Sequence, residues 1–163
     1  MTSTTPTPGT APVNEPTRLE LDVLPVVSAS GEVILAEVLG VSTSMDGVLL
    51  EVDRLEWYET REDAEAAGLS TSPDQMLFIG NAEETSEAFL IDETSKVAIY
   101  GTSATDQWFG LFSVTASEWV DVASGASPYD VHWYTVGRSG LLAPYFLEID
   151  GGVVLQATEL YIP

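Results

Sequence analysis

Apolar and polar positions along most of this chain alternate in short runs separated by turn residues, the period-two pattern of half-buried strands. Residues 19–24 (LELDVL) alternate, and 32–41 (EVILAEVLGV) form a longer β-rich run. In GVLLEVD, Val48, Leu50 and Val52 fall on one face and Leu49, Glu51 and Asp53 on the other. Asp46-Gly47 joins these two runs as a hairpin signal. Segments 75–79, 87–91, 96–100, 131–136 and 144–149 read as further strands. Asp150-Gly151-Gly152 then leads into VVLQATELYI as a closing antiparallel hairpin. Two stretches break the pattern. Thr60 with Asp63 predicts a helix N-cap, acids fill the first turn, and Gly68 closes the end. Thr115 with Glu118 forms a capping box opening a second short helix over 115–123.

Many short strands, few helices and Gly/Pro turns predict a mainly β fold. The expected form is a small antiparallel β-barrel, OB-like, with five or six strands, or else a sandwich, carrying two short helices. Residues 1–17 differ in kind: they hold four of the nine prolines, six threonines and one charge, Glu15. Such a stretch buries too little apolar surface to offset its ordering entropy. It reads as a disordered Thr/Pro-rich linker, followed by a single β-rich domain over 18–163.

Composition narrows the chemistry. The 163 residues include no cysteine, so disulfide frameworks, thiolate catalysis and cysteine-ligated metals are out. One histidine, His132, leaves no His-rich metal site. No apolar run reaches the ~18 residues of a membrane-spanning helix. The 26 acids against five bases give a net charge of −21. The bases (Arg18, Arg54, Arg61, Lys96 and Arg138) are scattered. A nucleic-acid surface needs clustered Lys and Arg, so DNA and RNA are not expected partners. The field repels phosphate and attracts cations or a basic protein patch. Salt-adapted proteins share this balance, and screening of self-repulsion predicts firmer folding in added salt.

Asp53, Glu56-Trp57 with Thr60 and Ala64, and Phe78 to Asn81 form one ordered set of motifs. Pro144-Tyr145-Phe146, Asp150-Gly151, Val153 and the terminal Tyr161-Ile162-Pro163 form another. In this order the chain resembles a group of exported or lipid-anchored small β-rich proteins of Gram-positive, actinobacterial-type bacteria, for which no activity is known. The resemblance covers roughly residues 33–163. It departs from that pattern in lacking a lipobox cysteine or signal peptide, and in a longer 124–143 segment. It implies an extracytoplasmic domain, with a membrane tether through a removed N-terminal signal. A Thr/Pro-rich linker fits the same location.

His132 lies in VHWYTV, with Tyr134 and Val136 as strand mates. Catalysis would need a nucleophile and an orienting acid beside it, and GRSGL at 137–141 lacks the spacing of a nucleophile elbow. A structural histidine is expected. Glu37 alternates with Val33, Leu35, Leu39 and Val41, so burial could raise its pKa. A strand half exposed at a barrel rim is the expected outcome. Glu83, Glu84 and Glu87, with Asp92-Glu93 further on, show no calcium-loop spacing and read as a solvated acidic face. No metal, cofactor or catalytic residue is assigned.

The aromatic residues are the stronger lead. Trp57 and Trp119 are expected in the core. Trp108 with adjacent Phe109 falls in a Gly/Ser/Thr-rich loop, and Trp133-Tyr134 place rings on opposite faces of one strand. Exposed rings suit sugar, peptide or protein contacts. Trp108, Phe109, Trp133 and Tyr134 are therefore the candidate binding residues of a noncatalytic domain, monomeric, contacting a protein or a cell-envelope polysaccharide. Two alternatives stand beside it. One is an acidic inhibitor or mimic covering a basic site on a partner. The other is a small hydrolase using an acid pair.

Overall fold

The computed structural model describes residues 14–20, 31–75, 77–134 and 144–161. Its strands are β1 (Thr17–Leu19), β2 (Glu32–Ser44), β3 (Gly47–Tyr58), β4 (Phe78–Gly80), β5 (Glu87–Ile91), β6 (Lys96–Ser103), β7 (Phe109–Val114), β8 (Val131–Trp133), β9 (Tyr145–Asp150) and β10 (Val153–Glu159). Helix α1 spans Arg61–Ala66 and α2 spans Ala116–Ala123.

The expected small barrel is present, and it is closed. Strands β2, β3, β5, β10 and β9 pair in a ring that returns to β2. Alternation sends Ile34, Ala36 and Val38, then Val48, Leu50 and Val52, and Tyr145, Leu147 and Ile149 into one core. The closing contact is parallel, Val153 of β10 against Leu90 of β5, and β10 also runs parallel to β6 over Gln156–Thr158. The barrel is therefore mixed, where local hairpin signals predict antiparallel pairing alone. Bulges after Val38 and after Val154 bend the two strands around the barrel, and Leu39 and Leu155 at these points are exposed.

Between β5 and β6 the chain leaves the barrel. The Asp92 carboxylate accepts from the Thr94 amide (2.7 Å), the Thr94 hydroxyl (2.6 Å) and the Ser95 amide (3.1 Å), closing a tight turn. The Ser95 hydroxyl then donates to the Val154 carbonyl at 2.6 Å, pinning the turn to β10. Beyond it, β6 pairs with β7, and β7 with β1, as a side sheet.

Helix α2 fastens that sheet to the barrel. Its buried residues Ala116, Trp119 and Val122 recur every three positions on one face, and the Thr115–Glu118 capping box forms as predicted. Trp119 is fully buried against Tyr145, with ring centres 4.8 Å apart. Thr60 caps α1 through the Asp63 amide, as its spacing predicts.

Three expectations change. Residues 109–112, the end of the Gly/Ser/Thr-rich loop predicted over 101–112, instead open strand β7: pairing on both edges outweighs the weak propensity of its glycine and serine. Trp57, expected in the core, lies on β3 and is 48% exposed. The linker reading does not extend over 14–17. The Asn14 amide donates to the Pro128 carbonyl at 2.6 Å, the Asn14 carbonyl accepts from the Asp130 amide, and Thr17 pairs with Ser113. The rest of the predicted linker, most of strand 19–24 and segment 137–141 lie outside the described residues.

Candidate functional site

The β6–β7 turn places the predicted rings. The Ser103 amide donates to the Trp108 carbonyl at 2.8 Å, Gln107 adopts a left-handed backbone (φ 61°), and the Trp108 amide reaches the Asp106 carboxylate at 3.1 Å. Trp108 therefore emerges from the turn just as β7 begins. Alternation along β7 then puts Phe109 and Phe112 on opposite faces of the side sheet.

The four candidate residues divide between these faces. On one, the buried Phe112 ring meets Trp108 at 5.1 Å and Trp133 at 5.7 Å, both edge to face, and Tyr129 stands 6.5 Å beyond Trp133. Glycines make this packing feasible. A Cβ on Gly110 would fall 2.5 Å from the Trp108 indole, and one on Gly101 would fall 2.5 Å from Val131. The Trp133 ring nitrogen donates to the Ser127 hydroxyl at 3.1 Å. Trp108 and Trp133 are thus tied into the packing of the side sheet.

On the other face, Phe109 stacks on Tyr100 with ring centres 5.7 Å apart and planes 17° from parallel. Tyr161 joins them, 5.1 Å from Phe109 and 5.4 Å from Tyr100, and Tyr134 lies 5.0 Å from Tyr161. Phe109 is 44% exposed and Tyr161 38%. The backbone holds the group: the Tyr134 amide donates to the Tyr100 carbonyl at 2.9 Å, and the Tyr100 amide to the Glu159 carboxylate at 2.6 Å. Burial, and then the Glu159 charge, push the Tyr100 phenol up. Sequence reading reached Phe109 and Tyr134 but missed Tyr100 and Tyr161. The signal available was Tyr161 two residues beyond Glu159 at the end of the last strand.

An N-terminal clasp covers Trp108. The Arg18 guanidinium lies over its ring at 4.8 Å, and donates to Asp106 at 2.9 and 3.1 Å and to Glu15 at 2.8 Å. Glu15 also accepts from the Ser103 hydroxyl. Arg18 holds the Asp106 carboxyl at about 2, and the Ser103 hydroxyl, ahead of Arg18, lowers that of Glu15.

His132 is exposed on β8 opposite Thr102. It lines a groove of about 430 Å³ with Ser127, Tyr129 and Trp133. The Ser127 hydroxyl is occupied by the Trp133 ring and the Tyr129 amide, and no carboxylate is among the described residues lining the groove. The Tyr129 hydroxyl turns away to donate to Glu118, which pushes the phenol up to about 12. The groove does not assemble a nucleophile, a base and an orienting acid.

The acids are dispersed. Glu37 is half-buried, as expected, but it faces Asp53 across β2–β3 within the barrel wall rather than at a rim. Asp53 is buried and accepts from Asn81 at 2.7 Å, the Thr85 amide at 2.7 Å and the Thr85 hydroxyl at 3.0 Å, so its pKa is lowered, chiefly by the Thr85 amide. Glu87 pairs with Arg54, while Glu83 and Glu84 are exposed. Among the described residues, no three His, Cys, Asp or Glu side chains converge to hold a metal ion. Among the described residues, no helix is long and apolar enough to cross a membrane. No family model, no curated protein and no solved structure matches the chain.

Proposed function

We propose that this protein is a noncatalytic binding domain that acts outside the cytoplasm and contacts a protein or a cell-envelope polymer through its aromatic platform. The supporting observation is the platform itself: Phe109 and Tyr161 remain well exposed while each is fixed against further rings. Rings immobilised before binding lose little conformational entropy on contact, and they offer flat apolar area with phenol groups at the rim. The composition of the N-terminal stretch supports a tethered role. The binding residues are accordingly Phe109, Tyr134, Tyr161 and Tyr100, with Trp108 and Trp133 supporting the sheet from behind.

Co-sedimentation with envelope fractions of the source organism tests this reading. Phe109→Ala is expected to weaken retention by roughly thirtyfold, the loss of one central ring contact worth about 2 kcal/mol. Equal retention of Phe109→Ala, Tyr161→Ala and the parent protein removes the platform from the account.

A further inference from the structure

A second surface, on the barrel wall, is built for a different contact. Leu35 pairs with Leu55 across β2–β3 and with Phe146 across β2–β9. Their neighbours Ile34, Ala36 and Leu147 point into the core, so alternation turns these three outward. The result is an apolar patch on the outside of a barrel, in a groove of about 430 Å³, with Leu35 already buried at its base and Leu55 and Phe146 half-buried around it. Trp57 forms one wall, 48% exposed and edge to face with Phe146 at 5.7 Å. At the other wall Arg54 is locked between Glu87 (2.9 and 3.2 Å) and Glu32 (2.6 Å).

The charges at that wall select the ligand. One guanidinium meets two carboxylates, so its charge is spent and an anion gains nothing. Glu32 keeps a 60% exposed side chain, and the chain as a whole carries −21. Indole is the best of the aromatic rings for holding a cation on its face. The molecule already uses this combination once: Arg18 lies on Trp108 with the Asp106 and Glu15 carboxylates around it. At Trp57 the ring and the carboxylates recur, and among the described residues no cation lies on the ring.

We propose that the groove between Trp57, Phe146 and Arg54 docks a basic protein segment, one that presents a lysine or arginine beside an aliphatic side chain. The cation sits on the Trp57 face, drawn by the Glu32 carboxylate that lines the same groove, and the aliphatic group packs on Leu55 and Phe146. The long-range field of the acidic surface steers such a segment inward, which ties its on-rate to ionic strength. This gives the expectation of an acidic protein covering a basic site a definite place, and it does not depend on the Phe109–Tyr161 platform.

Calorimetric titration with a capped peptide of alternating lysine and leucine, and with its lysine-acetylated form, tests the assignment on the full chain. The parent protein is expected to bind the basic peptide and not the acetylated one. Trp57→Ala and Glu32→Gln are each expected to weaken binding by about tenfold, and Trp57→Phe by less. Phe109→Ala is expected to leave it unchanged, which separates this site from the platform. The unfolding midpoint of Trp57→Phe guards against misfolding as the cause. Equal binding of the acetylated peptide overturns the proposal. So does undiminished binding by Trp57→Ala. A loss in Glu93→Gln or Asp121→Asn as large as in Glu32→Gln also overturns it, by showing diffuse attraction to the acidic surface.

Discussion

The guanidinium of Arg18 and the indole of Trp108 are stacked at 4.8 Å, and the carboxylates of Asp106 and Glu15 hold the guanidinium there. One side chain from the N-terminal segment thus closes over the turn that launches β7. Ion pairs this exposed contribute little singly, but here they share a cation with an aromatic face and with the β1–β7 pairing.

Acid should open this clasp. The folded pKa of Asp106 is about 2 against 3.8 for an unperturbed carboxyl, and that of Glu15 lies below 4.5. Groups whose pKa falls on folding contribute stability that is complete above the unfolded values and lost as pH drops through the folded ones. Trp108 emission is therefore expected to hold steady down to about pH 4 and to change between about pH 4 and 2. Comparing the parent protein with Trp108→Phe isolates the signal. A change centred well above pH 4, or none, contradicts the clasp.

Trp119 is the pin between helix α2 and the barrel. Trp119→Ala is expected to cost about 3–5 kcal/mol, the range for emptying a large aromatic site. Trp119→Phe is expected to cost less, because the ring contact with Tyr145 is partly kept. Urea unfolding checks both, with a lower midpoint and an unchanged slope expected for Trp119→Phe.

Gly110 is a packing requirement rather than a turn. A Cβ there would lie 2.5 and 2.6 Å from two carbons of the Trp108 indole. Gly110→Ala is expected to displace that ring and to destabilise by about 1–3 kcal/mol. Greater quenching of Trp108 by acrylamide, together with a lower melting temperature, is the expected reading.

Local signals in the sequence carry much of the fold. Asp46-Gly47 and Asp150-Gly151 sit at hairpin turns, and Thr60 and Thr115 are helix caps, because each is decided by residues within four positions. The parallel closure of β10 on β5 joins Val153 to Leu90, a separation that no turn motif encodes. Strand β7 is masked for a related reason: it is stabilised by pairing partners on both sides, and the Ser/Thr/Asp-rich turn before it runs straight into a segment interrupted by Gly110 and Ser113. Trp57 misleads because hydrophobicity gives no direction. Its place in the alternation with Leu55 and against Ile79 of β4 puts it outside the core. Of the candidate site, Phe109 and Tyr134 were readable as ring-bearing positions. The opposite faces of Trp133 and Tyr134 follow from strand alternation, but the split of Trp108 from Phe109 does not, since it depends on β7 being a strand.

Hydroxyl-radical footprinting of the intact protein, free and bound to envelope fractions, tests the binding account most directly. The account predicts protection of Phe109, Tyr134 and Tyr161 on binding, with Trp119 unreactive throughout and His132 unchanged. Binding that leaves Phe109 and Tyr161 as reactive as in the free protein, with protection elsewhere, would contradict it.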